Sequence, residues 1–430
     1  MKRVLIISYY WPPSGGAGVQ RWLKFSKFLP EFGWEPVILT VDPSKATYPV
    51  RDESLIKDQG EDLEVVRTDS NEWFSVYKKV SGNDRVPYAG FASESKTISF
   101  KQKTARFVRG NFFLPDPRKG WNKYAIEAAR KLIKEKTIDC IVTTGPPHSS
   151  QLIGLKLKKE FNIPWLADFR DPWTDIYYYR QFYPTLIAQR INLNYEKKVL
   201  TQADIILTVS QGFKKIFVGK KIIDSKKVTI ISNGFDDEDF QQQEESRGSY
   251  FVLTYVGTLS DIYQIDIFIE AFLALLSEYP NCKLQFIGTV SNNQLVKLSR
   301  IPSENIEVIP HVEHKKAIEY MERSNALLLV IPEHTSGQGI LPGKIFEYMA
   351  SERNILGIGP VNGDSSSMLS ETEAGIMLSY EDLEGIKKTM LKFYHASQDL
   401  EFPEKEKKYL RYSRKNLTEE LASIMKSLVG

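Results

Sequence analysis

Cysteine is nearly missing from this sequence: Cys140 and Cys282 are its two examples in 430 residues, far apart and each inside an apolar, strand-like run. Such usage excludes a disulfide framework and a structural zinc site, and points to buried thiols in a reducing compartment. Long hydrophobic runs are missing as well, since no stretch approaches the roughly 18 apolar residues that a membrane span requires. The opening MKRVLIISYY has a short basic start and a brief apolar run with no small-residue cleavage site behind it, so it is expected to be a first β-strand and not a signal peptide. An excess of one charge is lacking too. A net charge of +3, with no basic stripe at helical spacing, argues for no nucleic-acid partner. The expected location is the cytoplasm, with peripheral contact at the inner face of the plasma membrane left open.

What is present suits an ordinary globular chain: 42% apolar, 26% charged and 12% aromatic. At 430 residues it is too long for one core and suits two domains with a cleft between them. RVLIIS, PVILT, DCIVTT, PWLADF, DIILTV and KVTII alternate with amphipathic helical patterns, and FVLTYV, KLQFIG, IEVIP, ALLLVI and NILGIG repeat the theme. This is the α/β signature of two Rossmann-like parallel sheets. The polar SNGFDDEDFQQQEESRGS is read as a linker, giving domains of 1–248 and 249–403 and a terminal helix over 404–430 with Leu417, Leu421, Ile424 and Leu428 on one face. Residues 72–120 break the alternation as an insertion of unassigned structure. From Glu72 to Ala125 there are eleven Lys/Arg against four Asp/Glu, with Trp73, Phe74, Tyr77, Phe112, Phe113 and Trp121 interspersed. Lys101, Lys103, Arg106 and Arg109 there suit either an anionic membrane surface or a solvated loop.

Four places carry chemistry. Gly15, Gly16 and Gly18 follow the first strand and precede a helix, which makes either a phosphate cradle or a plain turn. In TTGPPHSSQL, His148 follows a strand end stopped by Pro146 and Pro147, with Ser149 or Ser150 available as a helix cap; it either bonds an acceptor hydroxyl or a backbone carbonyl. PWLADFRDPW crowds Asp168, Arg170 and Asp171 at a strand terminus, where they either pair with one another or meet substrate. Finally, ALLLVIPEHTSGQGILPGKIFEYMAS runs from a buried strand through a glycine loop to a helix starting near Pro342, with Lys344 at its start and Glu347 one turn on. Those two side chains suit a diphosphate and a ribose diol, or else solvent. Asp237, Glu238 and Asp239 only superficially resemble a metal site.

With these segments in hand, the chain resembles the GT-B glycosyltransferases of family 4 over nearly its whole length. PGKIFEYMAS is similar to that family's donor-binding helix, and the N-terminal glycine loop, GPPHS, SNGFD and YVGTLS fall in matching order. The resemblance implies a retaining, metal-independent hexosyl transfer without cofactor, from a nucleotide-diphosphate sugar, most commonly a UDP-sugar, to a saccharide or lipid-linked saccharide acceptor in cell-surface polysaccharide or glycolipid synthesis. By the same resemblance, donor contacts fall on Gly15, Gly16, Gly257, Thr258, His311, Val312, Leu341, Pro342, Gly343, Lys344 and Glu347. His148 orients the acceptor, and Asp168, Arg170 and Asn233 lie on the acceptor or cleft side. Lys344 stabilises the leaving diphosphate.

Two departures stand out. The family's first donor glutamate falls on Gly339, and its usual Arg and Lys after the YVG turn fall on Thr258 and Tyr263. These substitutions keep two other readings open, a sugar-nucleotide 2-epimerase-like isomerase and a non-catalytic scaffold on the same fold.

Overall fold

The computed structural model describes residues 1–60, 62–71, 100–176, 178–240, 249–333, 337–398 and 406–430. The part of the basic insertion over 72–99, with Trp73, Phe74 and Tyr77, therefore lies outside the described residues. The chain divides into two compact units, 1–232 with 414–430, and 233–413.

The first unit is built on seven parallel strands: β1 (Lys2–Ile7), β2 (Trp34–Val41), β3 (Glu64–Thr68), β4 (Cys140–Gly145), β5 (Trp165–Phe169), β6 (Ile205–Thr208) and β7 (Val228–Ile230), in the order β3-β2-β1-β4-β5-β6-β7. The central strands are largely apolar, as at Val4–Ile7 and Val37–Leu39, because both faces are covered, whereas the edge strand β3 carries Glu64 and Arg67. Leu5, Ile7, Val37 and Leu39 enter one core while Val4, Ile6 and Ile38 enter the other, the period-two alternation of a strand. Cys140 is buried on the second face. There the C-terminal helix Arg414–Val429 adds Leu417, Leu421 and Met425 to Val19, Trp22 and Leu23 of the helix Ala17–Phe28. Each such side chain contributes about 2 kcal/mol by burial. Ile424 and Leu428 pack less completely at the edge of the same cluster.

The second unit has six parallel strands: β8 (Phe251–Val256), β9 (Cys282–Ile287), β10 (Ile306–Ile309), β11 (Ala326–Val330), β12 (Asn354–Ile358) and β13 (Gly375–Leu378), ordered β10-β9-β8-β11-β12-β13. The helix Asp266–Glu278 covers one face with Phe268, Ile269, Phe272 and Leu275, as its spacing predicts. Part of the sequence read as a linker belongs to this unit's packing. Phe235 is buried, donates its N–H to Tyr412 O (3.3 Å) and meets the Phe240 ring edge-on at 6.0 Å.

Candidate functional site

In each sheet the strand order reverses once, at β1/β4 and at β8/β11. Open α/β sheets bind ligands beyond the carboxyl ends of their strands at such reversals, because the loops there diverge and leave a crevice.

In the first unit those loops line a cavity of about 300 Å³. Gly15, Gly16 and Gly18 come to it from β1, and Pro146, Pro147 and His148 from β4. Gly16 caps the helix Ala17–Phe28 at φ 102°, a backbone region open chiefly to glycine. The cavity also takes in Arg170, Asp171 and Trp173 from beyond β5. His148 stacks on Trp173, with centroids 5.0 Å apart and planes 8° from parallel, and its buried Nδ1 has no hydrogen bond. Burial, reinforced by the charge of Arg170, pushes the imidazole pKa down to about 3. The ring is therefore neutral at physiological pH, able to accept one hydrogen bond and donate another.

Two expectations change here. Neither Ser149 nor Ser150 caps the helix Ser149–Phe161. Asp116 does so from outside, its Oδ2 accepting the Ser149 N–H (2.7 Å) and its Oδ1 the Ser149 hydroxyl (2.8 Å). Asp168, expected to pair locally with Arg170 or to meet substrate, is wholly buried away from the cavity lining. Its oxygens accept from Arg21 Nη2 (3.1 Å), Trp22 Nε1 (2.7 Å) and Thr144 Oγ1 (2.8 Å). A carboxylate inside the fold needs full compensation, and the helix Ala17–Phe28 supplies it where the sequence neighbourhood cannot. Arg170 turns elsewhere, its Nη2 donating to Pro146 O at 2.7 Å.

Sequence reasoning also missed the cavity's outer wall. The basic insertion forms a helix, Phe100–Phe112, and the wall gains Arg109, Gly110, Phe113, Tyr178, Tyr179 and Phe182. A β-carbon on Gly110 would come within 2.4 Å of Phe182 O, so glycine permits this close packing. Arg106 is buried and Arg109 lies 4.7 Å over the Phe182 ring, so neither is the solvated surface cation expected. The mix of basic and aromatic residues in this segment was the available signal, but its spacing did not show which side chains face the cavity.

In the second unit, the β8 turn holds Gly257 at φ 121° and the β9 turn holds Gly288 at φ 126°. A β-carbon on Gly288 would fall 2.4 Å from Gly257 O. Lys344 opens the helix Lys344–Ala350, donates from Nζ to Val256 O at 3.0 Å and stands 3.8 Å over the Tyr255 ring. Among the described residues it has no ion pair. Burial pulls its pKa down to about 7, against an opposing pull from the Glu347 carboxylate. Thr258 is exposed, with its carbonyl accepting from Tyr255 OH (2.8 Å), whereas Tyr263 packs against the core. His311 is exposed beside the half-buried Val312. Leu341 packs on the core, while Pro342 O and Gly343 O accept from Ile345 N (3.1 Å) and Phe346 N (3.2 Å) at the helix start. Asn233 begins this unit. Gly339 ends a 3-10 turn, Gly337–Gly339. Asp237–Asp239 form a similar turn, and no group of three metal-ligating side chains occurs among the described residues. Nor is any described helix long and apolar enough to cross a membrane.

Two family models match the sequence in succession: Glycosyltransferase Family 4 over residues 87–239 and Glycosyl transferases group 1 over residues 250–396. No curated protein matches it. Among solved structures, a glycosyltransferase from Rickettsia africae ESF-5 is similar at 12% identity and a TM-score of 0.60, with 100% of this chain and 98% of the other covered. The Anabaena Alr3699/HepE protein in complex with UDP and glucose is similar at 11% identity and 0.58, with both chains covered in full at 100%. A sucrose-phosphate synthase from Thermosynechococcus elongatus is similar at 13% and 0.58, with 100% and 96% covered. At such identities the structures establish the fold, two parallel-sheet units of the GT-B kind, and the family models establish the activity class. The chain is a GT-B glycosyltransferase, family 4-like over residues 87–239 and group 1 over residues 250–396.

Proposed function

We propose that the protein transfers a hexosyl group from a UDP-sugar to an acceptor hydroxyl with retention of anomeric configuration. The observation that carries this is Lys344, an ammonium held at the end of β8 by one carbonyl and one aromatic ring and without an ion pair among the described residues. An arriving diphosphate would supply the counter-charge that burial withholds, and Glu347, one turn on, suits the ribose diol. Alr3699/HepE, of the same fold, is solved in complex with UDP-glucose. That supports UDP as the nucleotide. Gly257, Thr258, His311, Val312 and the backbone of Leu341, Pro342 and Gly343 complete the donor contacts in the proposal.

In the transfer, the bond from the anomeric carbon to the diphosphate oxygen breaks and the bond to the acceptor oxygen forms on the same face. The acceptor proton passes to the departing diphosphate. Negative charge grows on the leaving group as this happens, so the Lys344 cation and fixed backbone N–H groups stabilise the transition state beyond the ground state. A metal has no part in this scheme. Neutral His148 accepts a hydrogen bond from the attacking hydroxyl and sets its direction; with so low a proton affinity it positions the acceptor instead of carrying its proton.

The proposed setting is the inner face of an anionic membrane in surface glycan or glycolipid synthesis. Lys101 and Lys103 are exposed on a helix that also exposes Phe100 (83%) and Phe112 (75%), and Leu186 (72%) and Ile187 (71%) are exposed nearby in sequence to Tyr183, which the helix's Asn111 contacts. Replacing Lys101, Lys103, Leu186 and Ile187 with Ser should abolish sedimentation with anionic vesicles; undiminished sedimentation contradicts the membrane setting. The transfer is tested by incubating a panel of UDP-sugars with membrane lipid extract and assigning the product's anomeric configuration by NMR. An α-linked product from an α-linked donor supports retention, and a β-linked product refutes it.

A further inference from the structure

Three arginines, Arg109, Arg118 and Arg170, line the first unit's cavity against two carboxylates, Asp116 and Asp171. Asp116 is already engaged, accepting from Arg118 N (3.0 Å) as well as from the amide and hydroxyl of Ser149. Burial raises the pKa of Asp171, which weakens it as a counter-ion. Arg170 is the least compensated of the three: one nitrogen reaches the Pro146 carbonyl, while the buried Nε has no hydrogen bond. Asp168 is close enough to act on Arg170 electrostatically, but its oxygens are shared among Arg21, Trp22 and Thr144.

A second, independent feature adds to this positive field. The Arg170 guanidinium lies against Gly18, in the first turn of the helix Ala17–Phe28. That helix has no side-chain cap and no acidic residue in its first turn. A cation at the positive end of a helix dipole is disfavoured, whereas an anion there would satisfy both the guanidinium and the free amides. The cavity lining also carries Phe113, Trp173, Tyr178 and Phe182, with Arg109 standing 4.7 Å over the last of these rings.

We infer that the cavity is an acceptor subsite for a phosphate ester: Arg170 grips the phosphate, Arg109 and Arg118 flank it, and the aromatic wall holds the body that carries it. Guanidinium suits this task because its planar donors match phosphate oxygens in pairs. The inference names the acceptor class for the transfer proposed above and rests on that proposal for the word acceptor. Gly15 and Gly16, which the family resemblance places among the donor contacts, line this same cavity, so competition between UDP and the phosphate ligand is what separates an acceptor phosphate from the donor's.

The test is calorimetric titration of octyl phosphate, glucose 1-phosphate and octanol, below micellar concentrations, into the full chain saturated with UDP. At least one phosphate should bind, and octanol at least about 10-fold more weakly. Arg170→Gln should weaken phosphate binding by about 10-fold or more while UDP affinity stays unchanged. Arg109→Gln, checked for folding by circular dichroism, should weaken it several-fold and serves if Arg170→Gln does not fold. Preference for octyl phosphate would assign a lipid carrier and preference for glucose 1-phosphate a soluble one. Equal binding of octanol, wild-type affinity in both variants, or displacement of UDP by the phosphate ligand would overturn the inference. Failure of UDP to bind would instead count against the donor assignment, and the same phosphate titrations without nucleotide would still decide the subsite.

Discussion

His148 and Trp173 lie face to face, ring centroids 5.0 Å apart, and the indole Nε1 of Trp173 donates to Asn192 Oδ1 at 3.2 Å. The stack holds the imidazole in one orientation and keeps it dry, which is why its pKa falls to about 3. His148→Ala should lower the transfer rate at least about 10-fold with UDP affinity unchanged, measured by turnover and calorimetry. A stability effect follows from the same shift. The unfolded chain takes up a proton at this histidine near pH 6.5 and the folded chain only near pH 3, so the fold loses stability as pH falls through that window. His148→Gln should lose less melting temperature than wild type between pH 7 and pH 4.

Gly18 is the counterpart to Arg170: a β-carbon there would sit 1.8 Å from the Arg170 Nη1. Gly18→Ala must displace the guanidinium or the first turn of its own helix, at a cost of about 1–3 kcal/mol. Chemical denaturation measures that loss, and phosphate-ester binding should weaken alongside it.

The Arg21–Asp168 pair, both side chains fully buried, makes a sharper prediction for stability. Asp168→Ala strands a buried guanidinium and should cost about 3–5 kcal/mol. Glu160→Ala, which removes the solvent-screened partner of Arg130, should cost far less. Urea unfolding of the two variants separates these values.

Lys344 trades stability for binding. Its folded pKa of about 7 lies below the ordinary lysine value of 10.5, so between these values the unfolded chain binds more protons and stability rises with pH. Lys344→Met should therefore melt higher than wild type below pH 7, with the gap narrowing toward pH 10.5. UDP binding should be lost in the same variant.

The architecture was legible in the sequence because buried parallel strands and sheet-covering helices leave strong periodic patterns, as at Val4–Ile7 and at Phe268, Ile269 and Phe272. The positions of the first glycine loop and of His148 were legible because each follows a strand end, where a parallel sheet places its loops, and that of Lys344 because a glycine-proline run precedes its helix. Long-range pairing was not legible. Nothing near Asp168 announces Arg21, 147 positions away, and local crowding pointed to Arg170 instead. Asp116 as the cap for Ser149 was hidden for the same reason. The charged segment Lys101–Arg109 showed its composition but not its register, which buries Arg106 and turns Arg109 onto Phe182.

The measurement that tests the central claim most directly is calorimetric titration of UDP, with EDTA present, at pH 8 in two buffers of different ionisation enthalpy, into wild type, Lys344→Met and Glu347→Ala. The account predicts UDP binding with proton uptake as the Lys344 amine is recharged in wild type, loss of binding in Lys344→Met, and weakened affinity with the uptake retained in Glu347→Ala. Absence of UDP binding, or equal binding by all three proteins, would contradict it.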